Sequence, residues 1–328
     1  MSRKLLSYTA LGLILGNAAI ADVPKVAVDI APVHSLVSRV MEGVGSPKLI
    51  IPAGASPHEY SLRPSEAKSL QDADMVIWMG EDLAPWMENS IEKLAKNAEV
   101  ITLLEASETK LLDFREGALF EEHDHGDHDD HEDHDDHDKD HDDHDDHDDH
   151  DDHAGHDHGE HDPHAWLSIE NAQTWLNLVA GKLSAADPEN AGVYFGNAAA
   201  ARSEIEELSK EVNSILDPVR GRSFVVFHDA YQYFETSFDF PASGAISLGD
   251  ATDPSASRIA EIQGRVREEG INCVLSEPQY NPNLVETVLE GTDAKTGVID
   301  PLGVNLEPGS KLYGDLIRNM AKSLAGCL

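Results

Sequence analysis

The chain has 328 residues and a formal net charge of −38, with 62 acidic side chains against 24 lysines and arginines. A protein this acidic repels phosphate, which argues against nucleic-acid binding. Two cysteines are too few for a four-cysteine zinc finger or a disulfide-rich scaffold, and the length favours two domains.

The first residues have the pattern of an export signal. Two basic residues precede an apolar stretch from Leu5 to Leu15, and Ala19 and Ala21 provide the small side chains that a signal peptidase reads. The apolar stretch is too short to span the roughly 30 Å of hydrocarbon in a bilayer, which disfavours a membrane anchor. We therefore expect residues 1–21 to be a signal peptide and the mature chain to begin near Asp22.

Strands and helices alternate over the next eighty residues. Lys25–Ile30 has the β-branched alternation of a strand, and the following residues 32–45 place apolar side chains at helical spacing before two glycines. Further strands are predicted at 48–51, 75–80 and 99–104, and helices at 65–71 and 85–96. This alternation is typical of an α/β lobe with a mainly parallel sheet.

A histidine- and aspartate-rich segment follows, from Glu121 to Asp162. It contains 23 acidic residues and 14 of the 18 histidines, with no helical or strand period and almost no apolar side chains. Such a segment cannot offset the entropy of ordering, so a disordered loop is predicted. Its histidines are candidate auxiliary metal ligands: His123, His125, His128, His131, His134, His137, His141, His144, His147, His150, His153, His156, His158 and His161.

A long helical pattern separates this lobe from a second one. It begins at Pro188, which suits a first helical turn, and ends before Pro218, which cannot continue a helix. Beyond it, strand and helix patterns resume up to a terminal helix from Lys311. The predicted organisation is an N-terminal lobe at 22–187 that includes the loop 121–162, a linking helix at 188–216, and a C-terminal α/β lobe at 217–328.

Only four histidines lie outside the loop, and three of them fall at strand or loop ends beside a helix start: His58, His164 and His228. Ligands of α/β proteins bind at such positions, and Zn²⁺ favours nitrogen donors in a tetrahedral shell. The fourth ligand would be either Asp300, which lies at another predicted strand end, or a water molecule. On spacing alone, a lone histidine is more often a surface or capping residue than a metal ligand.

Several spaced motifs carry a resemblance to a known family. They read PVHSLVSRVMEGVG, GASPHEYSLRPSEAKSL, DPHAWLS, FHDAYQYFE, and SEPQYNP followed by IDPLG. In these motifs the chain resembles the periplasmic zinc-binding subunits of bacterial zinc ABC importers, the ZnuA type of the cluster A-I solute-binding proteins. The resemblance implies two α/β lobes with mainly parallel sheets, joined by one long rigid helix, with the metal in the interlobe cleft.

The same resemblance implies the ligands. The family's three histidine positions fall on His58, His164 and His228, and its acidic position falls on Asp300. Manganese members have a carboxylate in place of the third histidine, and a third nitrogen favours zinc over a harder ion. Some zinc members have Glu immediately before the first ligand, whereas Pro57 stands here. We expect one Zn²⁺ in the cleft, completed by Asp300 or water, and weaker ions on the loop.

Cys273 and Cys327 are the only cysteines, and an exported protein should pair them, as zinc members of the family do. The implied protein is a monomeric periplasmic binding protein that delivers zinc to a membrane permease and is not an enzyme. Two alternatives remain open. Three histidines and a water also form catalytic zinc sites, although no H-E-x-x-H motif is present. The loop could also be a metal buffer that constitutes the whole function.

Overall fold

The computed structural model describes residues 23–115, 120, 161–247, 254–280 and 283–328. The predicted signal peptide and the loop histidines from His123 to His158 are not among these residues. Across the described ranges, none of the helices combines the length and the apolar character needed to cross a membrane.

The first lobe is built on a four-stranded parallel sheet with the strand order β2-β1-β3-β4. The strands are β1 (Val26–Val28), β2 (Lys48–Leu49), β3 (Met75–Trp78) and β4 (Glu99–Thr102), and the helices between them are α1 (Ala31–Val40), α2 (Pro64–Gln71) and α3 (Pro85–Leu94). The central strands β1 and β3 are buried along their whole length, as expected when both faces of a parallel sheet are covered.

A buried carboxylate joins the ends of these two central strands. The Oδ1 atom of Asp29 accepts a hydrogen bond from the backbone N–H of Ile30, and Oδ2 accepts one from Met79 N–H at 2.6 Å. Burial raises the pKa of Asp29 to about 7, and the backbone N–H donors act in the opposite direction. Asp29 thus fixes the carboxyl edge of the first sheet.

The second lobe repeats the same topology, with the strand order β6-β5-β7-β8. Its strands are β5 (Phe224–His228), β6 (Ala245–Ser247), β7 (Cys273–Ser276) and β8 (Lys295–Val298). Its helices are α6 (Gln232–Phe238), α7 (Ala256–Glu268), α8 (Asn283–Leu289) and α9 (Leu312–Cys327). The predicted disulfide is present: Cys273 at the start of β7 is bonded to Cys327 at the end of α9, with their Cα atoms 5.8 Å apart.

One long helix, α5 (Ala191–Leu216), connects the lobes, and a second long helix, α4 (Ile169–Ala186), packs against it. Helix α5 has 26 residues and is therefore roughly 39 Å long. The single helix predicted from Pro188 begins three residues later, because Pro188–Asn190 forms a 3₁₀ turn before α5. The prediction of two parallel-sheet lobes joined by a long helix is confirmed.

Helix α9 makes a second connection that the sequence did not predict. It packs against both α1 and α5. The backbone N–H of Tyr313 donates to Ser35 Oγ at 2.9 Å, its hydroxyl donates to the carbonyl of Trp166, and the indole N–H of Trp166 donates to the carbonyl of Pro301. These buried hydrogen bonds join the lobes independently of α5, and one hydrophobic cluster runs through both of them.

Candidate metal site

The fold brings His58, His164 and His228 together. His58 lies in the turn after β2, His228 ends β5, and His164 precedes the 3₁₀ turn that leads into α4. The ring centroids of His58 and His164 are 5.4 Å apart, and those of His164 and His228 are 5.3 Å apart. His164 and His228 are buried, and His58 is half-buried.

These spacings fit a tetrahedral ion. With Zn–N bonds of about 2.0–2.1 Å and about 1.2 Å from nitrogen to ring centre, two zinc-bound imidazoles at the tetrahedral angle have centres about 5.2–5.4 Å apart. No group of three His, Cys, Asp or Glu side chains within the described residues is arranged to hold an ion as it stands. Because both ring-centre distances from His164 already match the separation that a zinc ion requires, binding would chiefly reorient the rings.

The ring of His164 is held by a buried carboxylate, Asp162. The Nδ1–H of His164 donates to Asp162 Oδ1 at 2.7 Å, and the same oxygen accepts the His164 backbone N–H at 2.9 Å. This bond puts the proton on Nδ1 and the lone pair on Nε2, which is the tautomer that a metal requires. Burial raises the pKa of Asp162 to about 7, and the His164 N–H and the Arg115 charge act against that rise.

The ring of His228 is held in the same way by Glu277. The Nδ1 atom of His228 lies 2.6 Å from Glu277 Oε1, and Glu277 is only 3% exposed. Glu277 follows β7, the parallel neighbour of β5, so the two side chains meet at one edge of the sheet. Sequence reasoning missed Glu277, although it lies in the SEPQYNP motif that carries part of the family resemblance.

Mainly apolar groups line the pocket around the three rings. The Trp166 ring lies 5.3 Å from His164 and the Tyr280 ring 5.5 Å from His228, between ring centroids. On the side of His58, the indole N–H of Trp86 donates to the carbonyl of Pro57 at 2.8 Å. Such walls limit the access of water and strengthen electrostatic interactions inside the pocket.

Asp300 occupies a different setting from the three histidines. Its Oδ1 accepts hydrogen bonds from the backbone N–H groups of Leu302 and Gly303, and its Oδ2 accepts one from Val304 at 2.7 Å. It lines a groove with Gly303 and Asn305, whereas Pro301 and Leu302 bound the histidine pocket on this side. Both of its oxygens therefore already shape the turn after β8.

The two remaining described histidines lie elsewhere. His161, the last of the loop set, has its Nδ1 2.9 Å from Asp113 Oδ1, and an antiparallel bridge between these residues brings together the segments that flank the loop. His34 is buried in α1 with its Nε2 3.3 Å from the carbonyl oxygen of Pro47.

A buried ion-pair cluster lies beside the histidine pocket. The guanidinium of Arg115 pairs with Asp229, the residue after His228, and with Glu235 on α6, at 2.8 Å from Nη1 to Glu235 Oε2. Burial raises the pKa of both carboxyls, and the Arg115 charge opposes the rise. This cluster was not predicted, because its partners are 114 and 120 residues from Arg115 in the sequence.

The whole described fold matches one family of proteins. A family model described as zinc-uptake complex component A, periplasmic, matches residues 26–327. The chain belongs to this family. The resemblance inferred from the sequence motifs is therefore confirmed, and members of the family are transport components rather than enzymes.

Relatives in the zinc-uptake family extend over nearly the whole chain. The high-affinity zinc uptake system protein ZnuA of Paracoccus denitrificans (strain Pd 1222) is 47% identical over 326 residues, 98% of each chain. The protein of the same name from Brucella abortus (strain 2308) is 46% identical over 314 residues, 95% of this chain and 94% of its own. A crystal structure of ZnuA shares the fold with a TM-score of 0.71 at 19% identity, covering 93% of this chain and 99% of that one.

Proposed function

We propose that this chain is the periplasmic zinc-binding component of an ABC importer, which captures Zn²⁺ between its lobes and delivers it to the membrane permease. The observation that carries the proposal is the meeting of three histidine rings at 5.3–5.4 Å between centroids, two of them held through Nδ1 by buried carboxylates. Membership of the zinc-uptake family supports zinc as the cargo.

The proposed ligands are His58, His164 and His228. Asp162 and Glu277 orient two of the rings and increase the basicity of the nitrogens that face the ion. A shell of three nitrogens suits Zn²⁺ better than the oxygen-preferring Mn²⁺. Capture is then a replacement of zinc-bound water by neutral imidazoles in a pocket with mainly apolar walls.

Asp300 or a water molecule completes the proposed shell. The carboxylate oxygens of Asp300 accept three backbone hydrogen bonds, and each carboxylate oxygen has two lone pairs. An Asp300→Asn substitution keeps one acceptor oxygen and removes the charge. In a variant that stays folded, a clear loss of zinc affinity supports Asp300 as the ligand, and parental affinity supports water.

Three further statements belong to the same proposal. Residues 1–21 direct export. The mature protein acts as a monomer with lobes at 22–187 and 217–328 on either side of the linking helix 188–216. The loop histidines bind additional, weaker zinc ions. Closely spaced imidazoles among carboxylates chelate zinc without a fixed fold, but each event costs ordering entropy.

Deleting Glu122–Glu160 separates transport from buffering. A binding protein with its site between the lobes retains one tightly bound zinc per chain after the deletion. A buffer whose function resides in the loop loses its tight binding. Metal content after dialysis against a weak chelator, with the full mature chain as the reference, distinguishes the two outcomes.

A further inference from the structure

Residues 105–115, which we call the strap, run from the end of the first sheet to helix α6 of the second lobe. The backbone N–H of Lys110 donates to Asn171 Oδ1 on α4 at 2.8 Å. Two residues later, the backbone N–H of Leu112 donates to the hydroxyl oxygen of Tyr233 on α6 at 2.9 Å. The strap therefore crosses from one lobe to the other beside the histidine pocket.

Arg115 fastens the end of the strap to the second lobe. Its Nε and Nη2 donate to the carboxylate of Asp229, and Nη1 and Nη2 donate to the two oxygens of Glu235 at 2.8 and 3.0 Å. The side chain of Arg115 is 16% exposed, and both carboxylates are buried. The ring of Phe120 covers the guanidinium, at 3.5 Å from its carbon to the ring centroid. Asp229 is the residue next to His228, so this contact fixes the chain at one proposed ligand.

The same strap also fixes the partner of another proposed ligand. The carbonyl of Leu112 accepts the backbone N–H of Asp162 at 2.8 Å, and the hydroxyl of Tyr233 donates to the carbonyl of Asp162 at 2.9 Å. Asp162 in turn holds Nδ1 of His164. Hydrogen bonds and short stretches of the chain thus connect Arg115 to both His228 and His164.

We propose that Arg115 is a positioning residue for zinc exchange, which keeps His164 and His228 at their mutual distance by tying the strap to Asp229 and Glu235. This inference rests on the proposed zinc-binding function. Ligand sites work only when their side chains are held within about 0.5 Å of the productive geometry. The planar guanidinium donates to two carboxylates at once, and a lysine ammonium, although equally charged, cannot reproduce that fork. Loss of the fork therefore loosens the ligands and speeds the release of zinc.

The test is the rate of zinc release from the full mature chain loaded with one equivalent and mixed with excess chelator. Zinc release is expected to show more than one kinetic phase, and the phase that is absent in a His58→Ala variant is the release from the histidine site. In Arg115→Lys, we expect this phase to be about tenfold faster, within the range for groups that support metal ligands. The control is Lys110→Met, which removes a different cation from the same strap. Lys110 pairs with Glu170 in an exposed ion pair, so its loss should have little effect. Its release rate should equal that of the parent.

A second readout separates positioning from general stability. Co²⁺ bound to the full chain reports ligand geometry through its visible absorption, and we expect Arg115→Lys to change that spectrum while Lys110→Met does not. Unchanged release and an unchanged spectrum in Arg115→Lys would overturn the proposal, as would equal acceleration in the Lys110→Met control. If Arg115→Lys does not fold, Asp229→Asn weakens the same contact from the other side. A zinc-release rate equal to that of the parent in Asp229→Asn would also overturn the proposal. If no phase of zinc release depends on His58, the proposed zinc-binding function is refuted instead.

Discussion

The Nδ1 atom of His228 lies 2.6 Å from Oε1 of Glu277, and both side chains are buried. The contact joins the carboxyl ends of two neighbouring parallel strands, β5 and β7. It therefore sets both the orientation and the tautomer of a proposed ligand through the backbone of the second sheet.

Replacing Glu277 by glutamine should weaken zinc binding about tenfold or more. The amide oxygen can still accept the Nδ1–H bond, but the lost negative charge makes Nε2 of His228 a poorer donor. Competition with a chelating zinc indicator gives the affinity. Glu307→Gln, an exposed position in the same lobe, is the matched control. Parental affinity in Glu277→Gln would show that the carboxylate does not support the ion.

The stability of the apo protein should depend on pH through Asp29. Its pKa is about 7 in the folded protein and lower in the unfolded chain, so the folded state binds the extra proton. The stabilisation from Asp29 is therefore complete at low pH and is lost as pH rises through 7. Asp29→Asn removes this dependence, so the free energy of unfolding of the parent should fall relative to that of the variant by about 2–3 kcal/mol from pH 5 to pH 8. Urea unfolding with a chelator present measures both free energies, and a constant difference between them contradicts the assignment.

Much of the fold could be predicted because the first lobe has clear local patterns. The helical spacing in residues 32–45 predicts that Val33, Leu36, Val37 and Val40 share one face, and all four are buried in α1. The prediction omitted β6, α7 and α8. Strand β6 has only three residues, and α7 buries only Ile262 and Val266, so its helical pattern is weak. The sequence pattern predicts that the strand before His228 ends at Phe227, whereas β5 runs one residue further, to His228.

The proposed ligands stand out in the sequence more readily than the groups proposed to support them. His58, His164 and His228 stood out because few histidines lie outside the loop. Asp162 is one of many aspartates in and beside a repetitive segment, and no local pattern distinguishes it. The role of Glu277 depends on the register between two neighbouring strands, which brings it to His228. The role of Arg115 depends on contacts with residues more than a hundred positions away in the sequence. The supporting roles of these three residues are determined by tertiary packing, which cannot be read from a single sequence.

Zinc loading should change the overall shape of the protein very little. The 26-residue helix α5 is a stiff connection, and buried hydrogen bonds from Tyr313 and Trp166 join the lobes a second time. Small-angle scattering curves of the loop-deleted protein with and without zinc should nearly superimpose. A clear decrease in the radius of gyration on loading would reveal a hinge that these contacts do not allow.

The additional zinc on the loop should be released as pH falls from about 7.5 to 5.5. Imidazole must be neutral to bind zinc, its reference pKa is about 6.5, and the dense negative charge of the segment favours protonation. Calorimetric titration at both pH values, on the intact and loop-deleted proteins, gives the stoichiometry. Equal stoichiometry in the two proteins at pH 7.5 would mean that the loop is only an acidic spacer.

The central claim is that one zinc ion binds between the lobes through His58, His164 and His228. The most direct measurement is the zinc affinity of the three single alanine variants in the loop-deleted protein, with His34→Gln in α1 as the control for a histidine outside the site. We predict a loss of several orders of magnitude in each of the three variants and parental affinity in the control. Unchanged affinity in any two of the three would contradict the assignment of the site.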